Sequence, residues 1–361
     1  MSAALGDIQQ RLRRFAGDVE TTSPLYSYLA GHAADDEEVA GLLSVATDPD
    51  PELLLAAVQR VLQAEPFHEL TNYYPTLGGS YGPDAGLWPM FRTFALDRAD
   101  RVRGFVSTRD VPRGNEVGRA ALFYPAVAFA ARQAGGGPVG LLEVGSCAAL
   151  LLGIDLYSYR YQSEQAGQIA AGPGRAALGL HCALKLLAGQ KGPTIPKRLQ
   201  VGARVGLDHD PVDLEDEDEY AWLEACVWPD QPDRLRQLGA AATVRRKKSP
   251  VMVKGDPVSD LAGAAERIPA ELPVVVLTSD ALRPYSAERV TAFRGALAEL
   301  AAARTTFWVS LETYAAGLVP DSPELDTGQA ILASTRWRDG KEQTTPLAQT
   351  SWHGERMAWL A

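Results

Sequence analysis

After residue 135, short apolar runs alternate with helical segments, and this alternation constrains the fold more than any other feature of the chain. The apolar runs are bounded by glycine, proline or polar residues, as buried strands are, and lie at 138–144, 204–208, 250–256, 273–279 and 305–312. Helical segments separate the later runs, at 216–227, 231–248, 258–267 and 286–303. Strands alternating with helices predict an α/β fold with a mostly parallel sheet.

Three further segments carry a strand signal of a different kind. Segments 329–337 and 356–360 predict an antiparallel pair at the edge of the sheet, and segment 178–187 predicts an inserted hairpin. An antiparallel closing pair distinguishes the methyltransferase version of the doubly wound fold from the dinucleotide dehydrogenase version. The pattern therefore predicts a methyltransferase-like Rossmann sheet.

The first 135 residues predict only helices. Apolar residues recur at spacings of three and four from Leu5 to Val19, and two Ser/Asp-Pro pairs, Ser23-Pro24 and Asp50-Pro51, have the form of a helix N-cap followed by proline. Further helices are expected at 85–103 and 115–134. We therefore predict an all-helical cap domain over 1–135 and an α/β domain over 136–361.

Net charge and cysteine content limit the binding partners and the cellular compartment that we expect for this chain. The chain has 35 Lys and Arg against 45 Asp and Glu, a net charge of −10, which argues against nucleic-acid binding and against an anionic membrane surface. The three cysteines are widely spaced, as in proteins of reducing compartments. We see neither a signal peptide nor an apolar run long enough to span a membrane. The expectation is a cytoplasmic protein.

Several blocks of the sequence resemble a bacterial, mainly actinobacterial family designated domain of unknown function 2332. The blocks are SPLYSYLAG (23–31), YYPTLGG (73–79), TRDVPRGNEVGRAA (108–121), LLEVGSCAALLLGIDLYSYRY (141–161), RVGLDHDPVD (204–213), WLEACVWPDQPDRL (222–235) and HGERMAWL (353–360). The resemblance runs nearly end to end, and it implies a methyltransferase-like fold with a helical extension.

The implied fold assigns roles to residues at the ends of its strands, where ligands bind in open α/β sheets. The residues implied to contact S-adenosylmethionine are Glu143, Gly145, Asp208 and Asp256, and those implied to contact substrate are Ser279 and Asp280. The family usually has a second glycine and an asparagine after Glu-Val-Gly, where this chain has Ala149 and Leu151. A Cβ at the first position and the loss of a polar group at the second weaken the case for bound S-adenosylmethionine.

The segment Asn115-Glu116-x-x-Arg119 is the most suggestive group of polar residues. Asn115 is expected to cap a helix and contact substrate, and helical spacing places Glu116 and Arg119 on one face. In a functional interpretation Arg119 holds a carboxylate or similar anion. In a structural interpretation the same pair forms a salt bridge that seats the cap on the sheet.

Two histidines have a context that fits catalysis. His68 lies beside the aromatic, glycine-rich loop 71–84 and is a candidate general base, although a histidine with only a structural hydrogen bond fits as well. His353, in the terminal block, is a candidate substrate contact under the same alternative. The acidic group around Asp208 lacks the spacing of a metal-binding loop, so no metal is expected.

Three functions remain open. The first is a methyltransferase-fold enzyme acting on a small metabolite, in biosynthesis, in the cleft between cap and sheet. The second is a cofactor-free enzyme for cyclisation or elimination, with His68, Glu116 and Arg119 as its catalytic residues. The third is a non-catalytic subunit that completes a partner protein, since a degenerate cofactor loop is typical of a retired catalytic chain.

Overall fold

The computed structural model describes residues 5–112, 115–186, 191–319 and 329–361. By its internal contacts the chain forms two compact units. The first unit contains Met1–Pro112 and Glu215–Arg236, and the second contains Arg113–Leu214 and Gln237–Ala361.

The secondary structure follows the expected change near residue 135. The helices are α1 (Leu5–Asp18), α2 (Pro24–Ala34), α3 (Glu37–Ala40), α4 (Pro51–Gln63), α5 (Leu87–Asp97), α6 (Ala99–Thr108), α7 (Ala120–Gln133), α8 (Glu217–Ala225), α9 (Pro232–Lys247), α10 (Leu261–Ala265) and α11 (Ala287–Ala303). The strands are β1 (Val139–Val144), β2 (Ser158–Ser163), β3 (Gly167–Ala171), β4 (Gly179–Leu186), β5 (Val201–Asp208), β6 (Val251–Lys254), β7 (Val274–Ser279), β8 (Thr306–Thr313), β9 (Ala330–Arg338), β10 (Lys341–Thr350) and β11 (Arg356–Trp359). No helix among the described residues is both long and apolar enough to cross a membrane.

The first unit is helical, and two of its helices begin at the caps that the sequence predicts. The Ser23 side chain accepts a hydrogen bond from the Tyr26 amide at the start of α2, and Asp50 accepts one from Glu52 at the start of α4. The single helix expected over 85–103 is instead two helices, α5 and α6, which meet at Arg98.

Segment 215–236 joins the first unit through both apolar and polar contacts. Trp222, in α8, is buried in the same apolar core as the helices of residues 1–112. The buried Gln59 side chain donates to the Val227 carbonyl at 3.0 Å, and the Ser23 hydroxyl donates to Asp230 at 2.7 Å. Each hydrogen bond links parts of the chain more than 160 residues apart, so the first unit is not continuous in sequence.

The second unit is built on one mixed, mostly parallel sheet. Its strand order is β3-β2-β4-β11-β10-β9-β8-β7-β1-β5-β6. Strand β1 lies between β5 and β7 and is parallel to both, and β6 and β8 extend the parallel region on either side. All six residues of β1 are buried, as expected of a parallel strand that is covered on both faces.

The C-terminal strands differ from the prediction. Segments 329–337 and 356–360 do not pair with each other, because β10 lies between β9 and β11 and is antiparallel to both. Neither segment is an edge strand, since β11 also pairs in parallel with β4. Strand β10 was missed because it is polar along its first half, KEQTT, where it lacks an apolar run.

The insertion between β1 and β5 is larger than the predicted hairpin over 178–187. Within that range the structure describes one strand, β4, and Leu187 lies outside the described residues. The hairpin is formed earlier in the chain, by β2 and β3, and β4 pairs in parallel with β2. These three strands extend the sheet beyond β11.

The boundary of the two units also differs from the one expected at residue 135. Helix α7, with Pro125 inside it, belongs to the second unit, where it packs on β4, β8 and β9. Eleven of its residues are buried. A helix with so wide an apolar surface is a core element of the unit that carries the sheet.

Candidate functional site

Polar side chains collect at the carboxyl edge of the parallel strands. Strands β1, β5, β7 and β8 end at this edge because they run in the same direction. Strand β10 is antiparallel to β9, which is antiparallel to β8, so β10 ends there too. The turn 351–355 that follows β10 therefore lies at the edge where open α/β sheets bind ligands.

Two glycines bring the NEVGR and WHGE segments together at this edge. A Cβ on Gly118 would lie 2.0 Å from the carbonyl oxygen of His353, and a Cβ on Gly354 would lie 2.1 Å from the carbonyl oxygen of Gly118. Gly354 also has a φ of +91°, in the region that favours glycine. The two backbones can approach this closely because neither glycine has a side chain.

This crossing places Glu116 beside His353. The Glu116 Oε2 and His353 Nδ1 atoms are 2.8 Å apart, although the residues are 237 positions apart in sequence. The Glu116 side chain is 5% exposed and the His353 side chain 28% exposed. Because a carboxylate can only accept, the Nδ1–H group donates, and the neutral ring then carries its lone pair on Nε2.

Arg119 is held by protein groups from two other segments. Its Nε donates to the Trp352 carbonyl at 2.8 Å, and one terminal nitrogen donates to the carbonyl and hydroxyl oxygens of Ser279 at 3.3 and 3.0 Å. The residue is 6% exposed. These contacts tie the segment before α7 to the end of β7 and to the 351–355 turn, and they favour the structural interpretation of Arg119.

We therefore expect Arg119→Lys to lower stability although it keeps the charge. Lysine cannot donate in the directions of the guanidinium fork, so at least one buried carbonyl would lose its partner, at a cost of about 2 kcal/mol. Urea unfolding measures this loss, with Arg338→Lys, at an exposed position on β9, as control. An unchanged midpoint would return Arg119 to the role of an anion holder.

The loop after β7 is strained and held by a buried carboxyl group. Asp280 has a φ of +58° and is 3% exposed. Glu312, at the end of β8, accepts hydrogen bonds from the amides of Ala281 and Leu282 at 3.3 and 3.2 Å. Burial, with a smaller contribution from the Asp280 carboxylate, raises the pKa of Glu312 to about 8.

An arginine and a tryptophan complete this group. The Arg283 Nε donates to Asp280 Oδ1 at 3.0 Å. The guanidinium carbons of Arg283 and Arg119 lie 5.3 and 5.8 Å from the centroid of the Trp352 ring, within range of cation–π attraction. Trp352 directly precedes His353, so the ring links the β7 loop to the Glu116–His353 pair.

The residues implied to hold an adenosyl cofactor make contacts within the protein. Asp208 accepts from the Cys147 amide at 2.7 Å and from the Asp210 amide at 2.9 Å, one bond to each carboxyl oxygen. Asp256 accepts from the amides of Val258 and Ser259 and pairs with Arg289. These hydrogen bonds lower the pKa of Asp256 well below its usual value, the one from Arg289 most strongly.

Gly145 and Glu143, the other two residues implied to contact S-adenosylmethionine, also pack against other parts of the protein. A Cβ on Gly145 would lie 3.0 Å from the Cβ of Ala281, so this glycine lets the loops after β1 and β7 meet. Glu143 is 1% exposed, and neither carboxyl oxygen has a hydrogen-bond partner among the described residues. Burial, followed by the nearby Asp208 carboxylate, raises the pKa of Glu143 well above its usual value.

The segment after Gly145 forms turns and a 3₁₀ helix (Leu151–Leu156). Cys147 and Ala149 have φ values of +50° and +56°, and Ala149 and Leu151 are both 1% exposed. Ala149 thus adopts the left-handed conformation that a glycine would adopt without strain.

The remaining candidates make other contacts or differ from the prediction in detail. His68 belongs to the first unit, where its Nδ1 accepts from the Leu70 amide at 3.1 Å and its ring packs edge-on against Phe94. Glu116, not Asn115, caps the short 3₁₀ helix Val117–Arg119. Within the described ranges, no group of three His, Cys, Asp or Glu side chains is placed to hold a metal ion.

Sequence reasoning missed Glu312, Arg283 and Trp352. Asp208 was predicted because it is a carboxylate at the end of an apolar run. Glu312 ends the apolar run 305–312 in the same way, so the same rule would have identified it. Nothing in the sequence marks Arg283, because its position depends on the turn at Asp280.

Comparison with known proteins shows the family of this chain. No curated protein and no solved structure matches this chain. The model of the family described as "Uncharacterized protein conserved in bacteria (DUF2332)" matches residues 9–359. Since the match covers nearly the whole length, the chain belongs to this family.

Proposed function

We propose that the chain is an enzyme of methyltransferase-like Rossmann fold that moves a proton on a small metabolite, with His353 as the base. The 2.8 Å contact between the buried Glu116 carboxylate and His353 Nδ1 carries this proposal. A carboxylate that fixes the tautomer of a partly exposed histidine is the arrangement that activates histidine bases in hydrolases.

The topology supports the fold part of the proposal. The parallel strands lie in the order β6-β5-β1-β7-β8, and the antiparallel β9 follows. When the inserted strands β2–β4 are left out and the others are renumbered along the chain, this is the 3-2-1-4-5 order of doubly wound sheets. Strand order reverses between β1 and β7, the switch point at which such sheets bind ligands. Ser279 ends β7 at this point, and Asp280 follows it.

In this proposal the chemistry needs only the side chains of the chain. His353 Nε2 accepts a proton from the substrate, and the Glu116 carboxylate stabilises the imidazolium that forms. The ring then returns the proton to the product or to the leaving group, as in an elimination or a cyclisation. General acid–base catalysis of this kind typically contributes about 10²- to 10⁴-fold in rate.

We further propose that the reaction does not use S-adenosylmethionine. Both oxygens of Asp208 are bonded to backbone amides, Asp256 is paired with Arg289, and the Gly145 Cα faces Ala281. Buried side chains fill the loop where a cofactor would need exposed backbone, at Ala149 and Leu151. Sites for adenosyl groups keep such glycines open and such carboxylates available.

Metabolite profiling tests the proposal on many candidate substrates at once. Purified wild-type protein is incubated with a dialysable extract of bacterial metabolites, with and without added S-adenosylmethionine, and the mixture is followed by mass spectrometry. We expect a metabolite to be consumed equally under both conditions. His353→Gln should abolish its consumption, and Glu116→Gln should slow it at least tenfold.

The control is His181→Gln, at an exposed position on β4, which should consume the same metabolite at the wild-type rate. Consumption only with S-adenosylmethionine would show a methyltransferase. If His353→Gln consumed the metabolite as fast as the wild type, His353 would not be the base. No consumption of any metabolite would favour the non-catalytic subunit.

A further inference from the structure

The geometry points to Arg283 as the anchor for a carboxylate group on the ligand, so that the site binds small carboxylic acids with an apolar body. This inference rests on the proposed function for the location of the site and adds the chemical class of its ligand. It also moves the anion-binding role from Arg119, where the sequence placed it, to a different arginine.

Arg119 is poorly placed for this role because its fork points at the protein. Its contacts to the Trp352 carbonyl and to Ser279 use Nε and one terminal nitrogen, and its side chain is buried. An anion would have to displace these carbonyl oxygens, which would then be left buried without a donor.

Arg283 has the opposite properties. Its side chain is 45% exposed, and its one hydrogen bond to the described residues runs from Nε to Asp280. The two terminal nitrogens form an edge of the guanidinium that matches a carboxylate bidentately. The strained backbone of Asp280 fixes the carboxylate that orients this guanidinium, and Glu312 holds the following amides.

The charge and the neighbouring ring specify the ligand further. Asp280 neutralises part of the Arg283 charge, so a monoanion balances the site better than the dianion of a phosphate does. The partly exposed Trp352 ring lies 5.3 Å from the Arg283 guanidinium carbon and offers an apolar flank beside it. A carboxylate attached to an apolar or aromatic group uses both surfaces.

The test is a titration with sodium benzoate, followed by the ¹⁵N-labelled indole signal of Trp352, which Trp352→Phe assigns. Ionic strength is held constant with sodium chloride. We expect saturable binding in the millimolar range, weakened at least tenfold in Arg283→Gln and clearly weakened in Arg283→Lys. The control Arg338→Gln lies on β9, which ends at the opposite edge of the sheet, and should bind as the wild type does.

Several results would overturn the inference: equal binding of benzyl alcohol, tighter binding of inorganic phosphate, or unchanged benzoate binding in Arg283→Gln with a folded spectrum. His353→Gln separates this inference from the proposed function, because it should abolish consumption of the metabolite whereas the loss of benzoate binding should follow Arg283. Arg283-dependent binding without metabolite consumption would refute the catalytic proposal alone. Consumption of a metabolite that lacks a carboxylate would refute the inference alone.

Discussion

Gly118→Ala should destabilise the protein by about 3 kcal/mol and separate Glu116 from His353. The new Cβ would lie 2.0 Å from the His353 carbonyl oxygen and 3.2 Å from its carbonyl carbon, so the backbone itself must shift. Overpacking that cannot be relieved by the movement of flexible side chains typically costs about 1–3 kcal/mol of stability, and occasionally more. Thermal unfolding should show a fall in melting temperature of roughly 5–10 °C.

Gly295→Ala is the matched control for this change. Gly295 is exposed in the middle of α11, and nothing lies within 4 Å of the position of its Cβ. Alanine is the better helix former by about 1 kcal/mol, so the control should melt at or slightly above the wild-type temperature. A Gly118→Ala protein that melts within 1 °C of the wild type would refute the close crossing of the two segments.

Glu312→Gln should remove a pH dependence of stability that spans pH 5 to 8. Burial raises the pKa of Glu312 to about 8 in the folded protein. Protonated Glu312 therefore stabilises the folded state, and this contribution is complete below the pKa that the residue has in the unfolded chain. That stabilisation is lost as the pH rises through 8, by at most about 5 kcal/mol at 1.36 kcal/mol per pKa unit. Glutamine stays neutral throughout and keeps an oxygen that accepts a hydrogen bond.

Urea unfolding at pH 5, 6, 7, 8 and 9 measures this effect as the difference between wild type and variant. We expect the wild type to lose stability relative to Glu312→Gln as the pH rises. The buried Glu143 acts in the same direction but is present in both proteins, so its contribution cancels. Glu271→Gln, at an exposed position, should follow the wild type. Parallel curves for Glu312→Gln and wild type would contradict the account of Glu312.

The sequence pattern predicted the strands and helix caps that depend mainly on residues close together in the chain. Strands β1, β5, β6, β7 and β8 are short apolar runs because they lie in the parallel region of the sheet. The helix caps at Ser23 and Asp50 follow from their own side chains. The sequence could not show that β10 separates β9 from β11, because strand order depends on contacts between distant segments.

The candidate site shows the same limit. Glu116, Arg119, Ser279, Asp280 and His353 are singled out by the sequence, and the structure brings all of them to one edge of the sheet. Their partners could not be predicted. Helical spacing favoured a Glu116–Arg119 pair, whereas the Gly118–Gly354 crossing, which no spacing rule describes, brings Glu116 to His353.

If Glu116 holds His353 as a proton acceptor, ¹⁵N NMR of the His353 ring shows it through the ring nitrogen that carries the proton. At a pH where the ring is neutral, we predict that Nδ1 carries the proton and Nε2 the lone pair. Glu116→Gln should remove this preference, because an amide side chain can donate to Nδ1 as well as accept from it. A neutral wild-type ring protonated on Nε2 would contradict this role of Glu116, and so would an unchanged preference for Nδ1–H in Glu116→Gln.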